Sequence, residues 1–270
     1  NGNGNGNGND NGDADTNVNN EQLQLLYTDE LALKKEAKQV ELVPDTVMDW
    51  FYPPQLPPEL QLFRRDNIAI PLCYLLVGLI QGLSDPILTV YPLDLGATEA
   101  QQTTIVILGS LPASLKLLFG FLSDNFPIMG YRRKSYMIVG WLLTSLSCGV
   151  LLFTTDLSLS KVGDYGEDEE ISSSPKNAPS IALLSSMTFL FSAGYWIADV
   201  MGDSILVEKS IHYESSDIKG MAQSSCYSYR YFGYMISEPV GTALYKMYDG
   251  PWMILVLLST LPLLMIPFVI

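Results

Sequence analysis

The sequence predicts an all-α membrane protein with six transmembrane helices, and two observations predict it. Between residues 68 and 270, apolar stretches of ~20 residues recur, the length needed to cross a bilayer core of about 30 Å. The acidity, in turn, does not describe the whole molecule. The formal net charge of −14 over 270 residues gathers in the segment 10–66 and in the run Asp164, Glu167, Asp168, Glu169 and Glu170. A soluble domain has no need of several such apolar stretches.

Residues 1–62 read as a polar, disordered tail on the cytosolic side, and 63–270 as the helical bundle. The first twenty residues are Asn/Gly repeats with scattered Asp, too poor in apolar surface to offset the entropy of ordering. Glu21–Leu42 has the composition of a short amphipathic helix, with Leu25, Leu26 and Leu33 interrupted by lysines. Pro53, Pro54, Pro57 and Pro58 then predict a stiff, extended lead-in to the membrane.

The spans are expected at Ile68–Tyr91, Thr103–Ser123, Tyr136–Thr155, Ser180–Val207 and Met221–Tyr245, with a sixth from Pro251 still apolar at Ile270. Pro92–Ala100 is a short loop, and Asp156–Pro179 a polar, acidic one. Tyr91, Trp141 and Trp252 are expected to anchor span ends at the interface. Under an alternating topology Arg64, Arg65, Arg132, Arg133, Lys134, Lys209 and Lys219 share one side, and Lys161, Lys176 and Lys246 the other. The cation-rich side faces the cytosol, so the N-terminus is inside.

Ionisable groups at membrane depth are expensive unless they face a protein interior or a wet cavity. Here helical spacing gathers them into stripes. Gln81 and Asp85 share a face of span 1 with Tyr74 and Gly78. Lys116 sits mid-span 2, between Pro112 and Gly120. Asp199 and Asp203 share a face of span 4, with Glu208 beyond. Span 5 carries Gln223, Tyr227, Arg230 and Tyr234, with Glu238 near. These stripes are expected to converge on an internal cavity in which Lys116 and Arg230 attract an anion and Asp85, Asp199 or Asp203 balance them. The competing reading is a set of structural ion pairs, Asp199 with Arg230 for instance, that only locks helices together.

Between spans 2 and 3, Gly120, Asp124, Gly130, Arg132, Arg133 and Lys134 form a loop unit. A carboxylate at a helix C-terminus opposes the helix dipole and becomes favourable beside a cation, which the basic cluster supplies. This unit resembles the loop signature of the major facilitator superfamily. Together with QGL (Gln81–Leu83), LGAT (Leu95–Thr98), LPASLKLLFGFLSDNFPIMGYRRKSYM (Leu111–Met137) and ADVMGDSILVE (Ala198–Glu208), it resembles the folate–biopterin transporter family.

The resemblance extends from about Phe63 to Ile270. It implies the N-terminal half of a major facilitator fold, with its six helices forming two inverted three-helix repeats. It also implies ion-coupled transport of folates or pterins by alternating access. Lys116, Asp124, Arg132, Arg133, Asp199, Asp203 and Arg230 match the family's charged positions, and the Asp124 loop would serve as a cytosolic gate. Under this reading the chain supplies one wall of a site formed between two halves, so a fragment is expected. Its partners would be a folate or pterin, the lipid bilayer and a C-terminal half. Two alternatives stand beside it: a facilitator for another small organic solute, and a non-transporting half that regulates a full-length relative.

Catalysis has no foothold in the sequence. There is no nucleophile–base pair or phosphate loop, and the single His212 with Cys73, Cys148 and Cys226 in apolar spans suggests no metal centre. No cofactor and no nucleic-acid partner are expected.

Overall fold

The computed structural model describes residues 55–128, 130–162 and 179–269, with residues 2, 49 and 53 besides. The expected amphipathic helix at 21–42 and the acidic run at 164–170 fall outside the described residues. Apart from one isolated bridge between Ile128 and Tyr131, the regular structure described is helical. A 3-10 turn at Pro58–Leu60 precedes α1 (Ala69–Thr89), which a one-turn helix at Tyr91–Asp94 continues. Then come α2 (Glu99–Ser114), α3 (Lys116–Asn125), α4 (Lys134–Val162), α5 (Ile181–Tyr213), α6 (Met221–Met247) and α7 (Trp252–Val269).

Local chemistry accounts for most of the boundaries. Thr98 and Gln101 form a reciprocal capping box at the start of α2, and the Ser180 hydroxyl accepts from the Leu183 amide to open α5. Gly220 takes a positive φ of 88° before α6. The Glu214 carboxylate accepts from the Gly220 and Ala222 amides at 2.7 and 3.0 Å, placing a negative charge at the positive end of that helix. Pro112 lies within the last turn of α2, and the chain bends by 43° at Leu115 before α3 begins.

Ala69–Asp94, Lys134–Thr155, Ile181–Tyr213 and Trp252–Val269 are long and apolar enough to cross a membrane, and the bent α2–α3 pair qualifies as one more span. Among the expected six, α6 is long enough but falls short in apolarity. Its composition is divided by face. Ser225, Cys226, Arg230, Gly233, Ser237 and Gly241 point into the bundle, whereas Tyr231, Phe232, Met235, Ile236 and Val240 are exposed. Averaging a small, polar inner face with an apolar outer one hides the outer one.

That inner face makes the closest helix pairing. α1 packs most extensively on α6, where Gly78 and Gly82 meet Ser237, Gly82 also meets Gly241, and Gly233 meets the backbone at Leu75 and Leu79. A Cβ on Gly78 would lie 2.0 Å from the Arg230 carbonyl oxygen, and one on Gly82 would lie 2.1 Å from the Ser237 hydroxyl. Small residues spaced by four let backbones approach without side chains between them. The α4–α5 pair repeats the device: a Cβ on Gly140 would come within 2.6 Å of the Gly194 carbonyl oxygen. Cys73, Cys148 and Cys226 are all free and buried, as expected of packing residues.

Two of the expected interface anchors are interior. Trp141 is wholly buried because α4 starts at Lys134 and carries it about 10 Å inward. Tyr91 is buried because the helix runs on to Asp94, so the expected loop at 92–100 is partly helical; its hydroxyl meets Thr155 Oγ1 at 3.4 Å. Trp252 is exposed.

If backbone contact is what joins α1 to α6, then Gly78→Ala or Gly82→Ala should cost about 3 kcal/mol or more. Gly149→Ala, whose Cβ would meet nothing within 4 Å, should leave the melting temperature unchanged or raised. Thermal unfolding of the purified variants in one detergent checks the contrast.

Candidate functional site

The residues that matter most converge on the carboxylate of Asp199, which is 1% exposed on the inner face of α5. Lys116 Nζ reaches Oδ2 at 2.8 Å from the first residue of α3, and Arg230 Nη2 reaches Oδ1 at 3.0 Å from α6. A cation at a helix N-terminus is disfavoured by the dipole, so the bend that places Lys116 there is offset by the carboxylate it meets. The Arg230 guanidinium is itself buried, so its 3.0 Å contact with Oδ1 is an ion pair shielded from solvent. Asp199 is thus shared between two cations from two different helices.

Aromatic rings frame this centre. The Lys116 ammonium lies 4.2 Å from the centroid of Trp196, and the Arg230 guanidinium lies 5.3 Å from the same ring. Tyr227 lies 5.9 Å from that guanidinium and packs edge-on to Tyr74. One turn past Asp199, the Asp203 carboxylate accepts a hydrogen bond from the buried Tyr74 hydroxyl of α1. Four helices therefore supply the cluster.

The other expected residues take distinct places. Gln223 interacts with Tyr227 one turn along α6, and Gln81 with the Tyr195 hydroxyl. Asp85 stands apart from the cations, near Tyr234, which also interacts with Glu238. The structure thus brings together Lys116, Asp199, Asp203, Tyr227 and Arg230, and leaves Asp85 outside. Trp196 was not singled out from the sequence, although it precedes Asp199 by three residues and Asp203 by seven. That spacing marks the same helical face and was the signal available.

A second cluster lies where α3 ends and α4 begins. Arg133 donates to the Ser204 carbonyl at 2.8 Å, pairs with Glu208 of α5 and lies 3.8 Å from Asp124. Gly130, with φ of 79°, makes the turn that brings it there. Arg132 and Lys134 are exposed and take no part in this tie, and a Cβ on Gly120 would meet only Val200, at 3.8 Å. At the same end Lys209 donates to Asn67, which is itself buried and donates to the Glu59 and Gln61 carbonyls at 2.8 and 3.0 Å. With Leu56, Leu60 and Leu62 buried, the Pro-rich lead-in is bound to the bundle rather than free of it.

Residues 78–163 match the model of the BT1 family. A folate-biopterin transporter of Synechocystis is 33% identical over 111 residues, covering 36% of this chain and 22% of that protein. Folate transporter 1 of Plasmodium falciparum is 42% identical over 48 residues, which is 18% of this chain and 10% of that protein. The aligned parts therefore span less than a quarter of either relative's length. No solved structure matches the chain significantly.

Removing the buried carboxylate should be far costlier than removing the exposed one. Asp199→Asn leaves two cations uncompensated and should cost about 3–5 kcal/mol. Asp124→Asn, at a side chain 58% exposed and 3.8 Å from its partner, should cost at most about 1 kcal/mol. Denaturation of both variants measures the difference.

Proposed function

The BT1 match and both relatives identify the folate–biopterin transporter family, and from that premise we propose that the chain forms one wall of an ion-coupled carrier for folate- or pterin-like anions. The observation that carries this reading is the pair of cations shared by one buried carboxylate. Two positive charges facing one counter-ion, at the join of three helices, make an anion site whose internal carboxylate a substrate carboxylate competes with. When substrate engages Lys116 and Arg230, Asp199 gives up part of its pairing, and α3 and α6 are free to shift against α5. In this reading substrate is held by Gln81, Lys116, Asp199, Asp203, Gln223, Tyr227 and Arg230, with Asp85 on the approach.

Helix pairing supports the repeat architecture. Count the bent α2–α3 pair as span 2 and α6 as span 5. Exchanging spans 1–3 with spans 4–6 then maps the α1–α6 contact onto that of α5 with α2–α3, and the α4–α5 contact onto α7–α1. Two three-helix units related in this way form the N-terminal half of a major facilitator bundle. The six-span reading takes α6 as a span by virtue of its exposed apolar face. The cations at the Arg133 end favour a cytosolic location for that end and for the N-terminus. There the Arg133–Asp124–Glu208 tie acts as the gate that holds span 4 to the loop between spans 2 and 3. A second half of the carrier would close the site from the opposite side.

Radiolabelled folate uptake in a folate-requiring host expressing the chain with a matching second half tests this reading. Lys116→Gln and Arg230→Gln should each reduce uptake at least tenfold at matched surface expression. Unchanged uptake in the double variant would remove both cations from the site, and equal competition by solutes unlike pterins would favour a general facilitator.

A further inference from the structure

Four buried side-chain polar atoms among the described residues lack an aligned hydrogen bond: the indole nitrogens of Trp141 and Trp196, the Ser210 hydroxyl and Arg230 Nη2, the last of which has its ion pair with Asp199 at 3.0 Å. A buried donor without an acceptor costs about 1–3 kcal/mol, so such atoms are rare in folded proteins. Two of these four belong to residues in contact with each other, since the Arg230 guanidinium lies 5.3 Å from the Trp196 ring. The same ring carries the Lys116 ammonium 4.2 Å from its centroid. Trp141 differs in its surroundings: it lies wholly buried within the apolar core.

The setting of Trp196 decides what its N–H is for. Tryptophan fits the neck of an apolar bundle as a packing residue, but packing alone would be met by phenylalanine without the cost of a buried donor. Here the ring face serves two cations while the N–H remains unused. The cations beside that N–H bias any acceptor toward negative charge. A carboxylate meets both demands, because it accepts from the indole while its charge faces Lys116 and Arg230.

We propose that Trp196 is a ligand-contacting residue: its indole N–H, beside the cations Lys116 and Arg230, binds a carboxylate of the transported anion, and this contact selects carboxylated ligands over uncharged pterins. The inference rests on the anion-carrier reading and adds a residue and a ligand group to it. Trp196 thereby does two jobs. Its face holds Lys116 and Arg230 in place, and its edge reads the ligand. Phenylalanine keeps the first and loses the second.

Equilibrium binding to the chain co-purified with its matching second half in lipid nanodiscs tests it, with three probes: folic acid, p-aminobenzoylglutamate, which has carboxylates but no pterin, and biopterin, which has a pterin but no carboxylate. Trp196→Phe should weaken the first two roughly ten- to hundredfold, as expected for a lost hydrogen bond to a charged group. Biopterin binding should not change. Trp141→Phe, which deletes the other orphaned indole N–H, should leave all three as in the wild type. Should Trp196→Phe fold poorly, 15N spectra of indole-labelled wild type give the second readout. Folic acid should shift the Trp196 N–H signal and leave that of Trp141 in place.

Folic acid binding that is unaffected by Trp196→Phe, or a loss confined to biopterin, overturns the assignment of Trp196 while leaving the carrier reading intact. If the wild type binds p-aminobenzoylglutamate in a Trp196-dependent way but neither folic acid nor biopterin, the carboxylate contact stands and the folate–pterin reading falls. Binding of none of the probes overturns both.

Discussion

A carboxylate that is 1% exposed and shared by two cations governs the interior of this protein. Asp199 cannot leave its place without stranding Lys116 and Arg230, and neither cation has another carboxylate within ion-pair distance among the described residues. The three residues come from α5, α3 and α6, so the arrangement constrains helices far apart in sequence. Its cost explains features nearby: the bend at Leu115 that delivers Lys116, the aromatic ring laid against both cations, and the tyrosine that satisfies the next carboxylate along. Desolvated charge is tolerated here because every neighbour is arranged to meet it.

Around that centre the bundle is assembled by close backbone approach more than by large interlocking side chains. In lipid, apolar bulk gives helices little reason to prefer one another over the acyl chains. Glycines at 78, 82, 233 and 241 on one seam, and at 140 and 194 on another, supply the preference through short-range packing. Many large apolar residues also face outward, where Leu117 is 90% exposed and Phe153 and Met235 are largely so. The result is a helix such as α6, small and polar within and greasy without.

This division explains what the sequence could and could not reveal. Lys116, Asp199 and Arg230 were legible because charge in an apolar stretch is costly and helical spacing aims it. The Arg133–Asp124 tie was legible because a carboxylate at a helix end calls for a cation. Trp196 was not, since tryptophan in an apolar helix is indistinguishable from packing until its neighbours are known. Asp85 shares a stripe with Gln81, but three turns of helix separate its end of α1 from Tyr74 and the cations. The anchor role expected of Tyr91 and Trp141 failed because it depended on where helices end, and those ends lay two or three residues beyond the expected spans. The low apolarity of α6 had the same origin in averaging over faces.

The contact between Gly78 and the Arg230 carbonyl oxygen has a bearing on how variants of this protein are interpreted. The residue that carries the buried guanidinium is also the one whose main chain rests on Gly78, so any methyl group at 78 displaces the guanidinium by way of its backbone. A saturation scan would therefore score Gly78 alongside Arg230, although the glycine touches no charge. Sensitivity to substitution there reports on the seating of a neighbour's main chain, and a map of intolerant positions would draw the binding site larger than it is.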